Sequence, residues 1–168
     1  MLLWVLVGFG VLVLLPCCGL FGWLAYIGSY GPETSVYTGN EVPARFLDVM
    51  KDVGALEPGE KLLYFYSDAL TDIRGGFYFV SDRGVVIYSE AAGDEPLVRI
   101  AFEEIAEADL GREESFFIDS EITLELKDGR PISFPVSSEG SKDVRFFESI
   151  EDGIAKARPP DLQAEKDG

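Results

Sequence analysis

The sequence predicts a mainly β body, a small antiparallel barrel or sandwich capped by a C-terminal helix, behind an apolar N-terminal span. Three observations carry this. Between residues 61 and 136, short runs rich in aromatic and β-branched residues recur, separated by turn-forming residues. After Ser141 the apolar spacing changes from strand-like to helical. Before Glu33 the chain has no charged side chain.

Residues 2–27 are almost wholly apolar, a run of 26. A helix needs about 20 such residues to cross a bilayer. Residues 1–27 are therefore expected to form a single transmembrane helix that attaches the protein to a membrane. Pro16 would kink it, and Trp23 with Tyr26 suits the interfacial belt at its far end. The other reading is a cleaved secretory signal. No Lys or Arg precedes the run, which also exceeds the roughly 7–15 apolar residues of a signal core. Pro16 before Cys17 also fits a lipoprotein signal poorly. The adjacent Cys17 and Cys18 read as small apolar residues of the span, with lipidation as the alternative. Residues 28–42, dense in Gly, Pro, Ser and Thr, read as a linker. Residues 43–54 read as a short helix with Pro43 at its start, Phe46, Met50 and Val53 on one side, and Gly54 at its stop.

Seven strands follow. The first is residues 61–67. Residues 76–81 and 85–89 form a hairpin about Asp82, Arg83 and Gly84. Residues 97–102 and 105–110 are the fourth and fifth. In 122–127, Ile122, Leu124 and Leu126 point one way and Thr123, Glu125 and Lys127 the other. Asp128-Gly129 turns the chain into 131–136, where Pro131 and Pro135 suggest an edge. The last element is a helix with Ser141 as N-cap and Phe146, Phe147, Ile150 and Ile154 on one face. Gly153 weakens it and Pro159-Pro160 bounds it. The tail 159–168 is polar and expected to be disordered.

Composition narrows the chemistry. Asp and Glu number 30 against 14 Lys and Arg, for a net charge of −16. That field repels nucleic acid and anionic lipid headgroups. The absence of histidine removes the usual general base and the commonest metal ligand. Two adjacent cysteines build neither a disulfide framework nor a thiolate zinc site. The expectation is a protein that is not an enzyme and carries no cofactor or metal. A hydrolase built on two carboxylates is the contrary reading, but no aromatic sugar-binding pattern surrounds any pair.

Five stretches together resemble a known family: "GEKLLYFYSD", "GFYFVSDRGVVIYS", "VRIAFEEIAEADL", "ITLELKDGRPISFPV" and "VRFFESIEDGIAKA". They make residues 58–158 similar to a pleckstrin-homology-like (PH-like) domain of the GRAM or bacterial PH type. The resemblance implies a curved seven-stranded antiparallel barrel capped by a C-terminal helix. It also implies a module that binds lipids, peptides or partner domains and is generally not catalytic. One departure bears on ligand choice. Lipid-binding PH domains place cations in the loop between the first two strands, whereas here "DALTDIRGG" sets Asp68 and Asp72 against Arg74. Anionic headgroups are therefore not the expected ligand.

Six residues are candidates for partner contact. Arg74 and Arg83 sit in or beside turns, where the ordinary role is a surface ion pair. Glu103, Glu104, Glu107 and Asp109 open the densest acidic run and would suit a basic partner protein. The expected function is a single-pass, membrane-anchored, non-catalytic interaction module that binds a protein partner. A protein secreted or periplasmic after signal processing, or a lipid-sensing PH-like domain, is the alternative. The acidic flank of the span leans toward an external body and the resemblance toward a cytoplasmic one, and a cytoplasmic body is expected.

Overall fold

Alternating strand patterns and short turns build two antiparallel sheets, in a computed structural model that describes residues 35–112 and 119–158. The strands are β1 (Tyr37–Thr38), β2 (Leu62–Tyr66), β3 (Phe77–Ser81), β4 (Gly84–Tyr88), β5 (Leu97–Ala101), β6 (Ile105–Gly111), β7 (Ser120–Leu126) and β8 (Pro131–Val136). Helix α1 (Ala44–Asp52) precedes β2, and α2 (Lys142–Ala157) ends the body. The first sheet runs β1-β2-β3-β4-β5 and the second β6-β7-β8. The expected transmembrane helix and the polar tail lie outside the described residues. Among the described residues, no helix is long and apolar enough to cross a membrane.

Among the described residues the expected seven-stranded barrel does not close. At one end, the outer edge of β2 is taken by β1, with Tyr37 opposite Phe65 and Thr38 opposite Tyr64. At the other, β5 runs into a 3₁₀ turn at Phe102–Glu104, and the chain enters β6 in the second sheet. The Lys127 N–H, donating to Glu104 O at 2.8 Å, ties that turn to the end of β7.

The stretch read as linker therefore contributes a strand where it is described. Val36 and Val42 are buried. The Lys142 ammonium donates to Val36 O at 2.9 Å, which fastens the entry of the body to the start of α2.

Two apolar clusters follow from the period of two along the strands. Tyr78 and Val80 of β3 face the space between the sheets, with Leu124, Phe134, Phe146 and Ile150. Phe77 and Phe79 face the other way, onto Phe46 and Met50 of α1. All five residues of β3 are buried; four are apolar, and the fifth, Ser81, donates to Gly84 O at 3.4 Å. α1 stops at Gly54, whose φ of +70° is costly for residues with a Cβ. Ala55 N–H then closes on Met50 O at 2.7 Å.

The start of α2 departs from expectation. Ser141 makes no side-chain capping bond and is itself left-handed, with φ 56°. The helix is entered from a 3₁₀ turn, Glu139–Ser141, which leaves Ser141 poorly set for capping. Asp143 does the anchoring instead. It is fully buried, and its Oδ2 accepts from Ser120 Oγ at 2.7 Å and pairs with Arg112 Nε at 2.9 Å. A carboxylate in the first turn also suits the positive end of the helix dipole.

Candidate functional site

Helix α2 crosses the rim of the first sheet, and the gap between them is an open groove of about 970 Å³. Its floor comes from the start of β2 and from the turn after β5: Leu62, Leu63, Tyr64 and Phe102. The Phe102 ring lies over Gly153 of α2, where any Cβ would overlap it. The residue that weakens the helix in isolation is thus what lets the ring reach the groove floor.

The walls carry charge of both signs. Along α2, the face opposite the buried Phe146, Ile150 and Ile154 presents Arg145, Glu148, Asp152 and Lys156. The facing wall has Lys61, Asp82, Arg83 and Glu103. Several of these are already engaged. Arg83 Nη1 pairs with Glu57 at 2.5 Å, and its Nη2 donates to Pro58 O at 3.3 Å. Asp82 Oδ1 accepts from Lys61 N–H at 2.9 Å, tying the β3–β4 turn to β2. Lys156 reaches Asp152 at 4.0 Å, a pair across one turn of exposed helix. Lys61 and Arg145 are exposed and lack an acidic partner among the described residues.

The fold separates the six candidates that the sequence singled out. Arg83 and Glu103 come together on the groove. Arg74 does not line it and pairs with Asp72 at 3.2 Å, within its own loop. Glu104 turns back, its Oε2 accepting from Ala101 N–H at 2.9 Å. Glu107 and Asp109 are exposed on β6, opposite Glu125 and Thr123 of β7. Glu107 and Glu125 are like charges directly across a ladder, a mildly destabilising arrangement. Sequence reasoning missed Lys61, Arg145 and Lys156. The signal for the last two was the polar stripe at 145, 148, 149, 152 and 156, which reads as an ordinary solvent face.

Two tyrosines bond to carboxylates away from the groove. Tyr66 donates to Asp119 Oδ2, and Tyr78 to Asp68 Oδ2 at 3.1 Å. Burial first, and the neighbouring carboxylates second, push both phenols well above their ordinary range. They are donors at neutral pH and unsuited to accept a proton from a substrate. Among the described residues no cluster of three or more Cys, Asp or Glu is arranged to hold a metal ion.

No family model and no curated protein matches the chain. Among solved structures, it is similar to a DUF1696 family protein with a pleckstrin-homology domain from Shewanella loihica PV-4. That match has 12% identity and a TM-score of 0.49, and covers 73% of this chain and 99% of the other. It is also similar to a PH-domain-containing bacterial protein from Exiguobacterium sibiricum 255-15. There the identity is 16% and the TM-score 0.49, with 73% of this chain and 62% of the other covered.

Proposed function

We propose that this protein is a non-catalytic, single-pass membrane-anchored module whose PH-like body binds a protein partner along the α2 groove, on the cytoplasmic side. The groove carries the reading. It combines an apolar floor at Phe102 with walls of both charges, including Lys61 and Arg145, which lack an acidic partner among the described residues. Mixed charge around an apolar floor suits a polypeptide, which brings both signs, better than a phosphate, which brings one. The PH-like assignment is supported by element order: a four-strand meander (β2 to β5), a three-strand meander (β6 to β8), then a helix. The GRAM or bacterial PH type rests on the sequence resemblance alone.

The anchor reading draws on the 26-residue apolar run. Thr38, Gly39 and Asn40, just after β1 begins, line the groove. Residues 28–38 span at most about 40 Å when extended, so the groove would stay close to the bilayer. A membrane-proximal partner is the natural occupant.

The test is a photo-crosslinking residue at Arg145 in the full chain, expressed in its own cells, with the exposed Glu90 as control position. A discrete protein adduct at 145, absent at 90 and lost when Lys61→Glu is added, is expected. Equal labelling at both positions would sink the groove reading. Release of the full chain by carbonate wash without detergent would sink the anchor.

A further inference from the structure

An open sheet edge offers unpaired N–H and C=O groups to any extended chain, and folded proteins normally blunt their edges. The described residues contain four edge strands. β1 is two residues long. β6 packs beside α2, and its Ala106 O accepts from Arg158 at 3.4 Å. β8 carries Pro131 and Pro135, which have no N–H to offer.

β5 has none of these guards. It is five residues long, "LVRIA", without proline. Its one charge is already engaged, although Arg99 also lines the slot beside the edge. The Arg99 guanidinium donates to Gly54 O at 3.0 Å, to Ala55 O and to Glu60 Oε2 at 3.3 Å, clamping the end of α1. Val98, 37% exposed, is one of two exposed large apolar side chains among the described residues. The other is Leu70 in the β2–β3 loop.

Beside this edge is a slot of about 320 Å³, left where the two sheets do not close. Val98 and Ile100 of β5 form one wall, and Leu126 and Ile132 of the β7–β8 hairpin the other. Glu103 lies at the slot without a cation partner among the described residues. Lys127 and Arg130 also line it, Arg130 being held by Asp128 at 2.7 Å.

We infer that β5 is an acceptor edge for an extended segment of a partner protein, which adds as a sixth strand to the first sheet. Backbone pairing supplies the attachment, as in strand addition generally. Alternate residues of the incoming strand face the slot, and its apolar walls select an aliphatic side chain there. Within the slot Glu103 and Lys127 both lack an ion-pair partner among the described residues, so the preference for Lys or Arg in the same segment comes from the net charge of −16. This surface rests on the unguarded edge and shares only Glu103 with the α2 groove.

The probe is a randomised nine-residue peptide library selected on the full chain in detergent micelles. Selected peptides are expected to alternate aliphatic residues and to carry Lys or Arg. Val98→Lys, which adds an edge lysine at an exposed position, should weaken them about tenfold or more. N-methylating alternate amides of a selected peptide should do the same in one of the two registers. An unchanged thermal transition for Val98→Lys shows that the fold is intact. The inference is overturned if nothing is enriched, if enriched peptides are acidic, or if binding ignores both Val98→Lys and N-methylation. Dimerisation of the full chain that Val98→Lys abolishes would also overturn it, by assigning the edge to a second copy.

Discussion

Removing the Phe102 ring should change the sign of a substitution at Gly153. Gly153→Ala gains about 1 kcal/mol of helix propensity. In the native body it also drives a Cβ into the Phe102 ring. Overpacking of that kind costs about 1–3 kcal/mol, so the net single effect is a loss of about 0–2 kcal/mol. Phe102→Ala alone removes a side chain only 7% exposed and should cost about 3–5 kcal/mol. With the ring gone the obstacle is gone, and Gly153→Ala should then stabilise by about 1 kcal/mol. The coupling between the two positions is about 1–3 kcal/mol. Urea unfolding of residues 35–158, followed by circular dichroism, measures all four corners of the cycle. Equal destabilisation by Gly153→Ala in both backgrounds would refute the account of why glycine stands there.

Three further outcomes are expected. Stability should fall as pH rises above about 10, the ordinary tyrosine value, because the unfolded chain then releases protons that Tyr66 and Tyr78 retain. Unfolding midpoints measured from pH 8 to 11 test this, and a midpoint flat across pH 10 would contradict it. Asp143→Ala should cost about 1–3 kcal/mol, chiefly by leaving Ser120 Oγ buried without its acceptor; Arg112, 48% exposed, can return to water. A urea midpoint unchanged by Asp143→Ala would refute that role. Residues 35–158 should not float with anionic vesicles at 0.1 M salt, and flotation lost on combining Lys61→Glu with Arg145→Glu would reassign the groove to lipid headgroups.

What the sequence made legible was local. The β7–β8 hairpin follows from strict alternation and Asp128-Gly129, and it forms with Leu124 opposite Ile132 and Ile122 opposite Phe134. The buried stripe of α2 follows from residues 146, 150 and 154, all buried. β1 left no such trace. Two residues carry no period, and what holds them is remote: a ladder to β2, and a Lys142 contact to the preceding Val36, 106 residues away. The acidic run is divided for a similar reason. Four acids close in sequence read as one cluster, but a 3₁₀ turn takes Glu103 and Glu104, while β6 carries Glu107 and Asp109 to an outer face.

The failed closure has a functional side. A barrel hides its edges by pairing the first strand with the last, and here β1 occupies the β2 edge while β5 has no outer partner among the described residues. The same turn that ends β5 also delivers Phe102 to the α2 groove and Glu103 to both openings. Residues 101–104 therefore determine where the sheets part, what floors one surface and which charge borders the other. A chain that closed its barrel through this turn would lose both surfaces at once. For that reason Phe102→Ala, which enlarges the groove, should leave peptide addition at β5 intact, whereas Val98→Lys should abolish addition and leave the groove adduct at Arg145 unchanged. If either substitution disturbs both readouts while the fold holds, the two surfaces are one site, and their independence is wrong.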